Sequence, residues 1–164
     1  MAFDKREAIL QRMLAILHLA SGEMGTSGAA VVDGLDSIFR NRGEVPVEKL
    51  PALVLLDGKE DIKLSTSGRG GILAPTTFTL QPQVFVVLKP REDVSNNGIG
   101  EELSRWRMCL LKAFSTDDSL LAMLGSNGEI NYLGHETDMQ TGSTMLGQLQ
   151  MLFALTYVLN PSDL

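Results

Sequence analysis

The chain has 164 residues, of which 44% are hydrophobic and 21% charged, the balance of a folded protein of about one domain rather than of a disordered segment or a collagen-like fibre. Its net charge of −6 is unevenly spread: all 14 Lys and Arg lie at or before Lys112, where acidic residues match them, and beyond that point the only charges are Asp117, Asp118, Glu129, Glu136, Asp138 and Asp163. A sequence-specific nucleic-acid reader needs clustered cations to neutralise phosphates, so this distribution points away from that class.

The first residues, Met1-Ala2-Phe3-Asp4-Lys5-Arg6-Glu7, mix both charges and precede no small-residue cleavage site, so no secretory signal is expected. Asp4 suits the cap of a helix in which Ala8, Ile9, Met13, Ile16 and Leu17 recur at spacings of three and four. Gly22, Gly25 and Gly28 then predict a loop over 20–30. Residues 35–40 read as a short strand, and the run Pro51-Ala52-Leu53-Val54-Leu55-Leu56-Asp57-Gly58 as a buried strand closed by an Asp-Gly turn. A polar loop over 59–71 leads to strand chemistry at Thr76–Leu80 and Gln83–Leu88, giving a long hairpin with a mobile tip. After a polar loop over 89–100, Leu103, Trp106, Leu110, Ala113 and Phe114 fall on one stripe of a helix over 101–114, with Glu101 and Glu102 at its start. Asp117 and Asp118 open a short helix ended by Gly125. A strand over 129–133 and a polar loop to Thr144 follow. In the closing segment Leu149, Met151, Phe153, Leu155 and Tyr157 alternate with a face that begins polar, the pattern of a strand covering a core on one side. The longest apolar run, 151–159, is far shorter than the roughly 20 residues a spanning helix needs, so a membrane protein is not expected.

The expected architecture is a single α+β domain over 1–164, its mainly antiparallel sheet packed on one face by the N-terminal and central helices. No catalytic constellation stands out. His18 lies between Leu17 and Leu19 and reads as a structural histidine; His135, Glu136 and Asp138 are close in sequence, but a metal site needs ligands converging from several elements. Gly68-Arg69-Gly70-Gly71 lacks the Lys-Ser/Thr ending of a phosphate loop, and Cys109, alone in an apolar run, reads as a buried inert thiol in a reducing compartment. No catalytic residue, cofactor or metal is expected.

The segment Phe39-Arg40-Asn41-Arg42-Gly43-Glu44-Val45-Pro46, followed by Leu50-Pro51-Ala52-Leu53-Val54-Leu55-Leu56-Asp57-Gly58, resembles the N-terminal half of tail terminator proteins of tailed bacteriophages. The order of elements around it is similar over most of the chain. The resemblance implies a structural virion protein, made in the host cytoplasm and placed in the tail or neck region. There a homo-hexameric ring caps the head-proximal end of the tail tube, stops its polymerisation and meets the head-tail connector protein. On that view Arg40, Arg42, Glu44 and Arg69 are candidates for contacts with a neighbouring subunit or the tail tube protein. Asp117, Asp118, Glu136 and Asp138 are candidates for lining a channel through which DNA passes without sequence-specific binding, since like charge discourages adsorption. Another head-tail connector or tail-completion subunit shares these features. The competing class is a cytosolic small-molecule enzyme or binding domain using His135, Glu136 and Asp138.

Overall fold

The computed structural model describes residues 4–26, 37–63, 75–88, 96–139 and 147–160. Asp4 opens helix α1 (Lys5–Thr26) by accepting the Glu7 N–H at 3.2 Å. The helix does not end at residue 20 as expected. Ala20 and Met24 extend the buried stripe of Ile9, Leu10, Met13, Ile16 and Leu17, and burying them outweighs the roughly 1 kcal/mol that each interior glycine costs a helix.

A single five-stranded sheet has the order β1-β2-β3-β5-β4. Strand β1 (Ile38–Arg40) runs parallel to β2 (Ala52–Lys63), and every other pairing is antiparallel. Asn41, at φ 54°, ends β1 by donating its N–H to the Leu55 carbonyl and accepting the Asp57 N–H on its side chain. A short 3-10 turn (Val47–Lys49) and a cis Leu50–Pro51 bond lead into β2.

Three expected boundaries shift, for one reason. Strand β2 continues through Lys63, because Asp57-Gly58 forms a bulge opposite Pro82 and not a turn: Leu56 pairs with Gln83 and Lys59 with Gln81. Gly58 sits at φ 70°, and a Cβ there would lie 1.8 Å from the Gln81 carbonyl oxygen; only glycine fits. The expected pair of strands around Pro82 is one strand, β3 (Thr76–Leu88), because the missing proline N–H falls where the bulge has already interrupted the ladder. Strand β4 (Glu129–Met139) likewise runs on past Leu133, which bulges between the Tyr132–Phe153 and Gly134–Leu152 pairs. Its second half, expected as a loop, pairs with β5 (Gly147–Leu159). All these irregularities lie at one level, between the Leu80–Leu155 and Gln83–Leu152 pairs of the two central strands.

Helix α2 (Asn96–Ser115) begins one turn before the expected start, so Glu101 and Glu102 sit in its second turn and Glu102 is buried. Their placement at the helix start is therefore corrected. Helix α3 (Asp118–Leu124) is capped by the Asp117 carboxylate, which accepts the Leu120 N–H at 2.8 Å, and ends at Gly125 with φ 86°. The helices cover one face of the sheet. Trp106, Leu110 and Phe114 of α2, Leu120 and Leu124 of α3 and the α1 stripe form one core with Leu53, Leu55, Val84, Val86, Leu149, Met151, Phe153 and Leu155. Phe114 meets Phe153 edge to face with ring centroids 5.1 Å apart.

Candidate functional site

The side chains opposite this core form a second sheet face that no described helix covers. Register places Val54 and Leu56 of β2 beside Phe85 and Gln83 of β3, then Gln150 and Leu152 of β5, then Glu136 and Gly134 of β4. The two central strands present an uncharged surface here, with Gln150 donating to Gln83 at 3.1 Å. At the β1–β2 side the chain from Arg42 to Leu50 folds over the sheet and leaves a recess of about 350 Å³. Val45, Val47, Val54, Leu56, Phe85 and Val87 make it apolar, and Arg42, Glu44 and Gln148 stand on its lining. Periodicity had marked the apolar residues of β2 and β3 as core; their division between two faces becomes visible only once the register is known.

Arg40 is committed within its own chain. It points to the helix side, donates to Asp57 through Nε and Nη2, both at 2.8 Å, and to Glu7 through Nη1 and Nη2 at 2.7 and 2.8 Å. Hydrogen bonds from Arg40 hold the Glu7 carboxyl down at about 2 and the Asp57 carboxyl below its ordinary range, and the two carboxylates raise the guanidinium in return. Arg6 approaches Asp57 at 3.6 Å and Glu60 at 4.0 Å, and Tyr157 donates to Glu60 at 2.5 Å. Burial, then that bond, raises the Tyr157 hydroxyl above its ordinary value. This cluster ties α1 to β1, β2 and β5. Sequence reasoning missed it because its members are far apart along the chain. Arg42 and Glu44, by contrast, are exposed, the Arg42 guanidinium lying 4.6 Å from the Phe39 ring centre. Arg69 lies outside the described residues.

The two acidic pairs part company. Asp117 receives both a bidentate bond from Arg12, at 2.9 and 2.6 Å, and the α3 cap, which together hold its carboxyl below the usual range, the Arg12 bond first. It is a structural residue: replacing it by Lys would remove the α3 cap and set a second cation beside Arg12. Asp118 is exposed beside it. Glu136 and Asp138 are exposed on the edge strand β4, opposite Gln150 and Gln148, and so belong to the open face, across the sheet from Asp117.

His135 neighbours Glu136 on that strand, but its ring stacks on Tyr132, whose hydroxyl lies 2.9 Å from Nδ1. His18 is half-buried on α1. Among the described residues no group of three or more His, Cys, Asp or Glu is placed to hold a metal ion. Burial raises the Cys109 thiol, whose sulfur lies 3.9 Å from the Ala20 carbonyl oxygen, and a raised thiol is a poor nucleophile. No described helix is long and apolar enough to cross a membrane. The chemistry offered by this surface is complementarity: an uncharged, partly apolar sheet face with a recess on one side and carboxylates on the other. Comparison of the sequence with protein-family models and with curated proteins finds no match.

Proposed function

We propose that this chain is a ring-forming virion subunit of the tail-terminator type, which caps the head-proximal end of a phage tail tube as a hexamer and offers a surface to the head-tail connector. One observation carries the reading. The segment whose sequence resembles that family, Phe39 to Gly58, folds into β1, the turn around Pro51 and the first half of β2, and these frame the recess on the open sheet face. The motif-like residues thus border a surface that the isolated chain leaves in water. Apolar side chains so placed, among them Val47, Leu56 and Phe85, favour association, because covering them removes apolar area from solvent at about 25 cal/mol per Å².

The test is to purify the chain, determine its mass by native mass spectrometry, and add it to polymerising tail tube protein encoded by the same genome. A closed hexamer that shortens the tubes, with density at one tube end by electron microscopy, is the expected result. Tubes of unchanged length overturn the reading, and a twelve-membered ring with no effect on tubes moves the protein to the connector side of the neck.

A further inference from the structure

We infer that a second copy of this chain docks along the acidic edge of the sheet, pairing its own β2 with β4 so that the sheet continues from one subunit to the next. The inference deepens the ring reading above and rests on it only for closed symmetry. Both lateral edges present unpaired backbone among the described residues. On one side β4 bonds only to β5 along Glu129–Met139. On the other, β1 pairs with Leu53, Val54 and Leu55 alone, so that β2 from Lys59 to Lys63 bonds only to β3. Each free edge also carries an exposed large apolar side chain, Leu133 on β4 and Ile62 on β2, both 56% accessible.

Charge on the open face separates the edges. Glu129, Glu136 and Asp138 line the β4 side with no cation on that strand, β3 and β5 contribute no charge, and Lys59 and Lys63 lie on β2 with Asp61 between them. Two β4 edges would set carboxylates against carboxylates, whereas β4 against β2 joins anions to cations. Such a contact uses different surfaces on the two copies, and heterologous contacts of this kind generate rings. Direction agrees as well. β2 and β5 run the same way and β4 runs opposite to them, so cyclic symmetry, which keeps every copy's strands in one sense, makes the new pair antiparallel. Placing Lys59 opposite Glu136 sets Asp61 opposite Gly134, which has no side chain, and Asp57, opposite Asp138 by the same count, turns to the helix side where Arg40 holds it. Lys59 forms a 3.3 Å ion pair with Asp61, both exposed, so it can turn to the new partner at little cost.

The experiment reverses the charges and then cross-links the register. Lys59→Glu with Lys63→Glu, and separately Glu136→Lys with Asp138→Lys, should each weaken assembly at least tenfold by native mass spectrometry or sedimentation. An equimolar mixture of the two variants should associate again, into rings in which the variants alternate, because both edge contacts between unlike variants are charge-matched and those between like variants are not. All four positions are exposed, and circular dichroism checks that each variant folds. In full-length protein carrying Lys59→Cys and Glu136→Cys, mild oxidation should give a ladder of disulfide-linked oligomers that neither single variant gives. Unchanged assembly in both charge variants, no ladder, or a wild-type chain that stays monomeric at all concentrations overturns the inference. Rings that assemble through this contact but leave tube length unchanged sink the terminator reading alone, and charge variants that still form rings and cap tubes sink the contact alone.

Discussion

Replacing Arg40 by Met would leave the Glu7 and Asp57 carboxylates facing each other without the guanidinium that bonds both. Losing charge-assisted bonds at this partly buried position should cost about 2 kcal/mol. The pH dependence has a definite sign. Both carboxylates have lowered values in the folded chain, so their contribution is full above the unfolded values near pH 4 and is lost as pH falls toward about 2, where Glu7 titrates. Asp57 carries the larger share, since the Glu7 side chain is 43% exposed and water screens it. Urea midpoints measured from pH 6 to pH 2 should fall steeply in the wild type and less in Arg40→Met; parallel curves would mean that the cluster is not stability-linked. A second residue acts through backbone alone. Gly58→Ala forces a Cβ onto the Gln81 carbonyl at a positive φ, and should destabilise by about 2–4 kcal/mol, whereas Gly22→Ala, with open space around it, should be neutral or stabilising by under about 1 kcal/mol.

Among the elements, α3 depends most on one side chain. Asp117→Ala removes both the cap, worth about 1 kcal/mol, and the partner of Arg12, while Asp117→Asn keeps an acceptor for the Leu120 N–H. The expected order of thermal midpoints is therefore wild type, then Asn, then Ala, and an Ala variant as stable as Asn would remove the cap from the account. This helix was legible in the sequence because its signals are local: Asp117 before it, Gly125 after it. The ends of α1, β2 and β4 were not. Gly22 and Gly25 look like a break unless the buried Ala20 and Met24 are known to continue the stripe, and Asp57-Gly58 has the composition of a turn although its partner strand makes it a bulge. In each case a contact distant along the chain overrode a local preference.

At the scale of the whole molecule, the helices and the covered sheet face share one core, so unfolding in urea should be a single transition by fluorescence of Trp106 and by circular dichroism. Neighbouring residues test the two faces. Leu55 is fully buried against the helices, and Leu55→Ala should cost about 2–5 kcal/mol in the isolated chain. Leu56 lines the recess on the open face; Leu56→Ser should cost under about 1 kcal/mol there and, on the proposed reading, weaken assembly instead. Equal losses would mean that the open face is an ordinary part of the core. The α+β class and the one-sided helix layer follow from the alternation of β5 and the stripes of α1 and α2. The candidate surface was only half legible. Arg42 and Glu44 stand on the recess as exposed groups, while Arg40 and Asp117 turned out to hold the chain together, because exposure of a charged residue depends on partners that lie 33 and 105 positions away along the chain.

Each bulge is also a change of phase. Before Gly58 the even-numbered residues of β2 lie on the open face, and after it the odd-numbered ones do; on β4 the exchange runs the other way across Leu133. One inserted residue per strand thus decides where Lys59, Asp61 and Lys63, and then Glu136 and Asp138, are shown. If the same letters instead ran on one for one with their neighbours, with no bulge to absorb the extra residue, those charges would turn toward the helices and Ile62 and His135 would come outward. Deleting Gly58 or Leu133 therefore has the opposite outcome to straightening the bulge: the ladder becomes regular, and every downstream residue keeps its partner and its face.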